Sequence, residues 1–550
     1  MALEFMSDSH GGHGTHGASH GGGHGAAGNH ELDQRILQLP SIFEIDEVVH
    51  ANEGEEAIQV ADTVSAAAAL YEKLRNVLEY EEEHRLRRNA IRRVLKRRIG
   101  VDVESQQLAK DVLTELIWAR YLPNNTIPIA VIDTVAEALV KYNPLVAALS
   151  RSSNPSLAFD FILDLMAIEV ESHVAPPTRE DALASFAYRI LQEKIEWKKG
   201  SLPEDERELQ LYLAVYRTLL KADAARLRSR VFLLYYPHWK IGHANEEIAA
   251  DLDAIIATVD GQIKHPIAER LSREVRKFAV LFNVLFDVVA KDPHEFLSAV
   301  STPAELDKLV GKAAAARIKT FQSRKARRVF RAVAFLFVTK MMLALVIELP
   351  YDLVIAHETS LFPLAVNIIF PPLLLAFIAL TARLNIKLHV KTIQKGVRSI
   401  AFGTQELNMI FKVTKGWNQA FTWTFGLLYT LSFFVVFGFI GSLLIGFGFN
   451  IVSMSIFLLF LTLVTFFGLQ IRQSIKEVVV DKNRSGIVGA LIDWFMLPIV
   501  RVGRWISIRT PRINVFIFFM DFIIEAPFKL AIEVIEGWMA FVREKKEELE

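Results

Sequence analysis

Three charged side chains interrupt an otherwise apolar stretch, KMMLALVIELPYD, at residues 340–352. Lys340, Glu348 and Asp352 are spaced by multiples of four, so on a helix they share one broad face. A charged group inside a bilayer is costly and marks an ion path or an ion pair between helices. Snorkelling of the lysine, with both acids near the opposite surface, explains the same residues without a path. We treat the three, with Asn367 in the next apolar segment, as a candidate polar membrane face.

The elements that would position this face are apolar segments in the second half of the chain. Each is close to the ~20 residues that a helix needs to cross a bilayer. A run of 56 residues within them, 416–471, contains no Asp, Glu, Lys, Arg or His, as a pair of membrane helices requires. We therefore predict a four-helix transmembrane region over residues 331–472. Its four spans are residues 332–352, 361–382, 419–445 and 451–471.

Basic residues flank these spans on one side only. They precede span one, fill the loop between spans two and three, and follow span four, whereas the other two loops, VIAHETSL and GFGFN, contain none. The positive-inside rule therefore predicts a plasma or inner membrane protein whose N-terminal domain and C-terminus are cytoplasmic. The cluster before span one predicts contacts with anionic lipid. It consists of Arg324, Lys325, Arg327, Arg328 and Arg331.

The C-terminal part, residues 473–550, contains two further apolar segments, 486–508 and 513–541. In the second, four charged residues recur every four positions and form one polar stripe on a helix. They are Asp521, Glu525, Lys529 and Glu533. This pattern favours amphipathic helices lying in the cytoplasmic interface. The alternative is a third hairpin across the bilayer, which would bury part of the stripe.

The N-terminal part, residues 31–330, is rich in charged residues and in apolar residues at helical spacing, with no sustained period-two alternation. Residues 55–100 predict one long helix, and residues 201–237 predict another. Within the first, the basic run HRLRRNAIRRVLKRR (84–98) indicates either a salt-bridged helix face or a surface for phosphates or anionic lipid. The predicted fold class is all-α: a polytopic α-helical membrane protein with a large cytosolic helical domain.

Residues 1–30 form a tail rich in glycine and histidine. Such a composition cannot bury enough apolar surface to offset chain entropy, so we predict disorder. The imidazoles could bind divalent metal weakly and at several sites. The histidines are His10, His13, His16, His20, His24 and His30.

Composition excludes several classes of function. The chain has no cysteine, so disulfides, thiolate catalysis and cysteine-ligated metals are excluded. The formal net charge of zero gives no reason to expect nucleic acid as a partner. No catalytic motif is present, so we expect no enzyme activity and no cofactor. Two functions remain: an oligomeric channel or transport protein with a cytosolic regulatory domain, or a membrane-anchored scaffold that binds partners or shapes the bilayer.

Overall fold

The computed structural model describes most of the two predicted regions but not the termini. The described residues are 32–44, 48–51, 55–60, 83–99, 104–197, 202–241, 245–343, 349–351, 361–381, 386–403, 411–413, 419–474 and 487–509. The histidine-rich tail, Glu348, Asp352 and the stripe from Asp521 to Glu533 lie outside the described residues. The predicted disorder of the tail, the roles of Glu348 and Asp352 and the amphipathic stripe are therefore not tested by the structure.

Helices make up almost all of the first half. They are α1 (Gln34–Leu37), α2 (Leu39–Phe43), α3 (Glu83–Arg98), α4 (Ser105–Trp118), α5 (Ala130–Val140), α6 (Asn143–Ala148), α7 (Pro155–Val174), α8 (Thr178–Gln192), α9 (Glu204–Leu219), α10 (Ala224–Tyr235), α11 (Asn245–Ala250), α12 (Leu252–Ile263), α13 (Ala268–Lys291) and α14 (Pro293–Val300). Short 3₁₀ turns occupy Leu149–Arg151 and Pro237–Ile241.

The second half is also helical. Its helices are α15 (Pro303–Leu343), α16 (Leu349–Tyr351), α17 (Leu361–Thr381), α18 (Ile386–Ala401), α19 (Gln419–Gly446), α20 (Ile451–Ser474) and α21 (Ile487–Arg509). The prediction of an all-α fold is confirmed for the described residues, apart from one strand pair. Strands β1 (Ile195–Trp197) and β2 (Phe411–Val413) pair in parallel, and three residues are too few to show period-two alternation.

Two predicted helices are wrong in their extent. Residues 55–60 are not helical: the backbone N–H of Ile58 donates to the carbonyl of Ile127 at 2.8 Å, which holds this segment against the loop before α5. The predicted helix 201–237 is divided into α9 and α10. Between them, Lys221 has a left-handed φ of 48°, and the Asp223 side chain caps α10 by accepting from the N–H of Arg226 at 3.0 Å.

One large apolar core unites the first half of the chain. The central helix, α13, packs against α9, α15 and α18 and contributes fully buried residues such as Val275, Leu281 and Val289. We call α1–α14, the first half of α15 and α18 the helical domain. Helix α18 lies in the sequence between two predicted spans, so a boundary at residue 330 does not separate the domain from the apolar helices.

The apolar helices α17, α19, α20 and α21 form a second unit, the apolar bundle. Helix α20 packs against α17 and α21, and α17 also packs against α15. Among the described residues, two helices are long and apolar enough to cross a membrane, Trp423–Gly446 and Ile451–Gly468. The apolar stretch Phe362–Ile378 of α17 is shorter. The structure therefore supports two of the four predicted spans as candidates.

Candidate functional site

Helix α15 connects the helical domain directly to the apolar part of the chain. It is continuous over 41 residues, from Pro303 to Leu343. Its first half buries one face in the domain core through Leu306, Val310, Ala314 and Ile318. Beyond the core, exposed apolar side chains follow, including Phe330 at 74% exposure. One continuous helix therefore links the domain core to the apolar region.

Helix α18 forms a second connection, because it returns from the end of α17 to the helical domain. Its buried face includes Ile393, Val397 and Ile400, which belong to the domain core. The side chain of Arg398 forms an ion pair with Asp307 of α15. The sequence contains a signal for this helix, since apolar residues recur at spacings of four and three from Ile386 to Ile400.

One close approach and two hydrogen bonds hold α18 against the helical domain. A Cβ at Gly396 would lie 2.5 Å from a δ-methyl carbon of the fully buried Leu281, so only glycine fits there without rearrangement. The Gln394 side-chain amide donates to the Asp307 backbone carbonyl at 2.8 Å. At the C-terminal end of α18, the N–H of Asp33 donates to the carbonyl of Ala401 at 2.9 Å. Helix α18 is thus bound to the domain by packing and by hydrogen bonds.

The apolar bundle has a filled interior. Val436, Phe449, Phe457 and Ile499 are buried in one cluster with Leu444 and Leu461. The helices α20 and α21 approach so closely that a Cβ at Gly503 would overlap the backbone carbonyl of Thr462. Within the described bundle, the space between these helices is therefore occupied by apolar side chains in close contact.

The structure describes two residues of the predicted polar membrane face, Lys340 and Asn367. Lys340 lies in the last turn of α15, three residues before its end. Asn367 is fully buried between α17 and α20, and its side-chain amide donates to the backbone carbonyl of Ser453 at 3.2 Å. This bond satisfies a carbonyl inside the bundle, which gives Asn367 a role in helix packing. The predicted basic cluster before span one lies on α15, where Arg327 is exposed.

Helix α19 presents a broad apolar surface. Trp423 is 78% exposed, and Leu427, Leu431 and Phe434 on the same helix are also exposed. Monomeric soluble proteins rarely expose apolar surface of this extent. Exposed apolar surface of this extent is typical of a site that contacts lipid or another protein surface.

The basic run at 84–98 forms buried and half-buried ion pairs inside the domain. Arg88 is only 3% exposed, and its guanidinium donates to Glu171 at 2.9 Å and to Asp223 at 2.7 Å. Arg92 donates to Asp164 at 3.0 Å. The packing therefore supports the first of the two interpretations of this run, a salt-bridged helix face. The guanidinium groups bind carboxylates of α7 and of the α9–α10 connection.

The network continues from α7 to α12. Arg228 of α10 donates to Asp164 at 2.7 Å and to Asp260 at 2.8 Å. Burial raises the pKa of Asp164, although Arg228 and Arg92 oppose this effect. For Asp260, hydrogen bonds from Arg228 and Lys264 outweigh burial and lower the pKa. The two pKa values shift in opposite directions because burial and guanidinium contacts act on them to different extents. The network joins the helices α3, α7, α10 and α12 and does not line an open site.

Comparison with known proteins adds no functional assignment. No known family model matches the chain, and no curated protein or solved structure is significantly similar to it. Among the described residues, no group of three or more His, Asp or Glu side chains could hold a metal ion. The structural features that bear on function are the two helices that connect the helical domain to the apolar bundle, α15 and α18, and the exposed apolar surface of α19.

Proposed function

We propose that this chain is an oligomeric integral membrane protein of channel or transport type, regulated by its helical domain. The observation that carries the proposal is the double connection of the domain to the apolar bundle. Helix α15 continues from the domain core into the apolar region, and α18 returns from α17 to the same core. A regulatory domain needs this kind of mechanical coupling, whereas a simple anchor does not.

The proposed arrangement places the helical domain and the C-terminus in the cytoplasm of a plasma or inner membrane. The exposed apolar residues of α17 and α19 would face lipid or neighbouring subunits. Basic residues on α15, from Arg324 to Arg331, would lie at the cytoplasmic surface, where anionic lipid attracts lysine and arginine. Because the interior of one bundle is filled, a path would lie between subunits, with Lys340, Glu348 and Asp352 facing it.

Flux measurements test the proposed path. The protein is reconstituted in liposomes, and ion flux is compared for the wild type, Lys340→Leu and Lys319→Leu. Lys319 is an exposed lysine on the same helix but outside the predicted span, so its substitution is the matched control. We expect Lys340→Leu to change flux and Lys319→Leu to leave it unchanged. Equal flux in all three proteins would contradict a path lined by this face.

The subunit count tests the oligomer. Native mass measurement in lipid nanodiscs should give a closed assembly, which particle imaging would show as a ring with α15 near the axis. A monomer would contradict the channel proposal, because the proposed path lies between subunits.

A membrane-anchored scaffold is the second candidate, and the filled interior of the apolar bundle favours it. In this proposal the long helices of the domain bind partners, and the amphipathic segment 513–541 lies on the bilayer. Deletion of residues 513–550 should then abolish liposome remodelling while the protein still inserts. Remodelling by the truncated protein would contradict the scaffold. Zinc titration with and without residues 7–30 tests whether the histidine-rich tail modulates either activity.

A further inference from the structure

Helix α18 has a second face that the helical domain does not cover. While its apolar side is buried in the domain core, Lys387, Lys391 and Lys395 are exposed on the opposite side. Their spacing of four residues turns the helix by only ~40° per step, so the three ammonium groups form one stripe. The stripe extends over about 12 Å, the rise of eight residues.

Within the part of the chain that the structure describes, no carboxylate is paired with this positive charge. No described ion pair involves any of the three lysines, and α18 contains no Asp or Glu. The adjacent helix α15 contains no acid after Asp307, whose carboxylate is paired with Arg398. On α13, which also packs against α18, the carboxylate of Asp287 is paired with Arg317. Burial lowers the pKa of His389, so that side chain adds little charge at neutral pH.

The stripe lies close to the proposed membrane. Helix α17 ends at Thr381 and α18 begins at Ile386, so the two ends are at most ~18 Å apart. Helix α17 carries exposed apolar residues up to Phe377, which is 64% exposed. Beside Lys387, Leu388 is 58% exposed. A basic surface with an exposed leucine, close to the end of an apolar helix, matches the chemistry of a bilayer interface.

We propose that the lysine stripe of α18 binds the phosphate headgroups of anionic lipids in the cytoplasmic leaflet. The inference rests on the proposed membrane location and adds a second lipid-binding surface to the basic cluster on α15. Helix α18 cannot insert in the manner of an ordinary amphipathic helix, because its apolar face is buried in the domain. It therefore binds lipid mainly through the charge of its lysines, and anionic lipid would stabilise the position of the helical domain on the membrane.

Lysine acetylation of the full-length protein in nanodiscs tests this inference. One set of nanodiscs contains only phosphatidylcholine, and the other contains about one third phosphatidylglycerol. Bound headgroups should protect the three lysines, so we expect their acetylation rates to fall about fivefold in the anionic discs, the factor that corresponds to ~1 kcal/mol per basic residue at an anionic surface. Lys110 and Lys291, exposed on the helical domain and absent from the stripe, are the controls, and their rates should not change.

Three outcomes separate the alternatives. Equal acetylation of the stripe in both kinds of disc would overturn the inference and leave the membrane proposal intact. Protection in neutral discs by added inorganic phosphate, equal to that by anionic lipid, would assign the stripe to a soluble anion and also overturn it. Extraction of the wild-type protein from vesicles by alkaline carbonate would remove the proposed function itself.

A triple variant provides a second measurement. Lys387→Gln, Lys391→Gln and Lys395→Gln together should abolish the increase in thermal stability that anionic lipid gives the wild type in nanodiscs. The matched control exchanges three scattered exposed lysines, Lys110, Lys291 and Lys308, for glutamine and should retain the increase. If both triple variants keep the full increase, the stripe is not a lipid-binding surface.

Discussion

The docking of α18 on the helical domain leads to a quantitative prediction for Gly396→Ala. A Cβ at residue 396 would lie 2.5 Å and 2.6 Å from the two δ-methyl carbons of Leu281. Because Leu281 is fully buried, it cannot move away without displacing its neighbours. Overpacking of this kind costs ~1–3 kcal/mol, while replacing glycine by alanine within a helix gains ~1 kcal/mol. We expect a net loss of about 0–2 kcal/mol in the free energy of unfolding.

Gly261 offers a matched control. It also lies in a helix of the domain, α12, but a Cβ there meets no atom within 4 Å. Gly261→Ala should therefore give only the gain in helix propensity, up to ~1 kcal/mol. The two alanine variants should differ by roughly 1–3 kcal/mol, because the substitution is identical and only the surroundings differ.

A double-mutant cycle identifies the atoms responsible. Leu281→Ala alone should cost ~2–5 kcal/mol, since it removes buried methyl groups. In that background Gly396→Ala no longer meets the leucine, so its cost should disappear and a coupling energy of ~1–3 kcal/mol should result. The assay is urea denaturation of the full-length protein in a mild detergent, followed by circular dichroism. If Gly396→Ala raises the free energy of unfolding as much as Gly261→Ala does, and shows no coupling to Leu281, the docking of α18 on α13 is refuted.

Two further predictions concern the ion-pair network of the helical domain. Arg88→Met should lower the free energy of unfolding by ~3–5 kcal/mol, because it leaves the buried Glu171 without its principal partner. Arg97→Met, at an exposed pair, should cost less than ~1 kcal/mol. Similar losses for the two variants in the same denaturation assay would contradict the burial argument. Although burial opposes ionisation of Asp260, Arg228 lowers its pKa below the ordinary value of 3.8, so it contributes stability at higher pH that is lost as pH falls through that region. Thermal unfolding between pH 5 and pH 3 should therefore depend less steeply on pH in Asp260→Asn than in the wild type, and equal slopes would exclude this contribution.

Local sequence patterns predicted several elements correctly. Helix α15 contains no proline after Pro303, and a helix needs only its own backbone hydrogen bonds to pass from a core into an apolar region. Helices α19 and α20 follow from uninterrupted apolar composition. In each case the deciding interaction lies within the segment itself, so the sequence is sufficient.

The apolar pattern did not predict two other features, one because of a contact between distant residues and the other because of local backbone and capping signals. Residues 55–60 carry a helical pattern, but Ile58 pairs with Ile127 instead. The break after Leu219 needs the left-handed residue Lys221 and the capping side chain of Asp223, which are short-range signals that a long apolar pattern hides. The periodicity of a sequence shows which residues are apolar, but it does not show which other residues they pack against.

The candidate site shows the same division. The sequence by itself determined the charged positions Lys340, Glu348 and Asp352, the basic flanks and the apolar segments, because hydropathy and charge are properties of residues. Only the tertiary structure decided that α18 belongs to the helical domain and that Asn367 donates to the carbonyl of Ser453. The physical reason is that burial and hydrogen bonding are properties of pairs, and Gly396 and Leu281, which hold α18 in place, lie 115 residues apart in the chain.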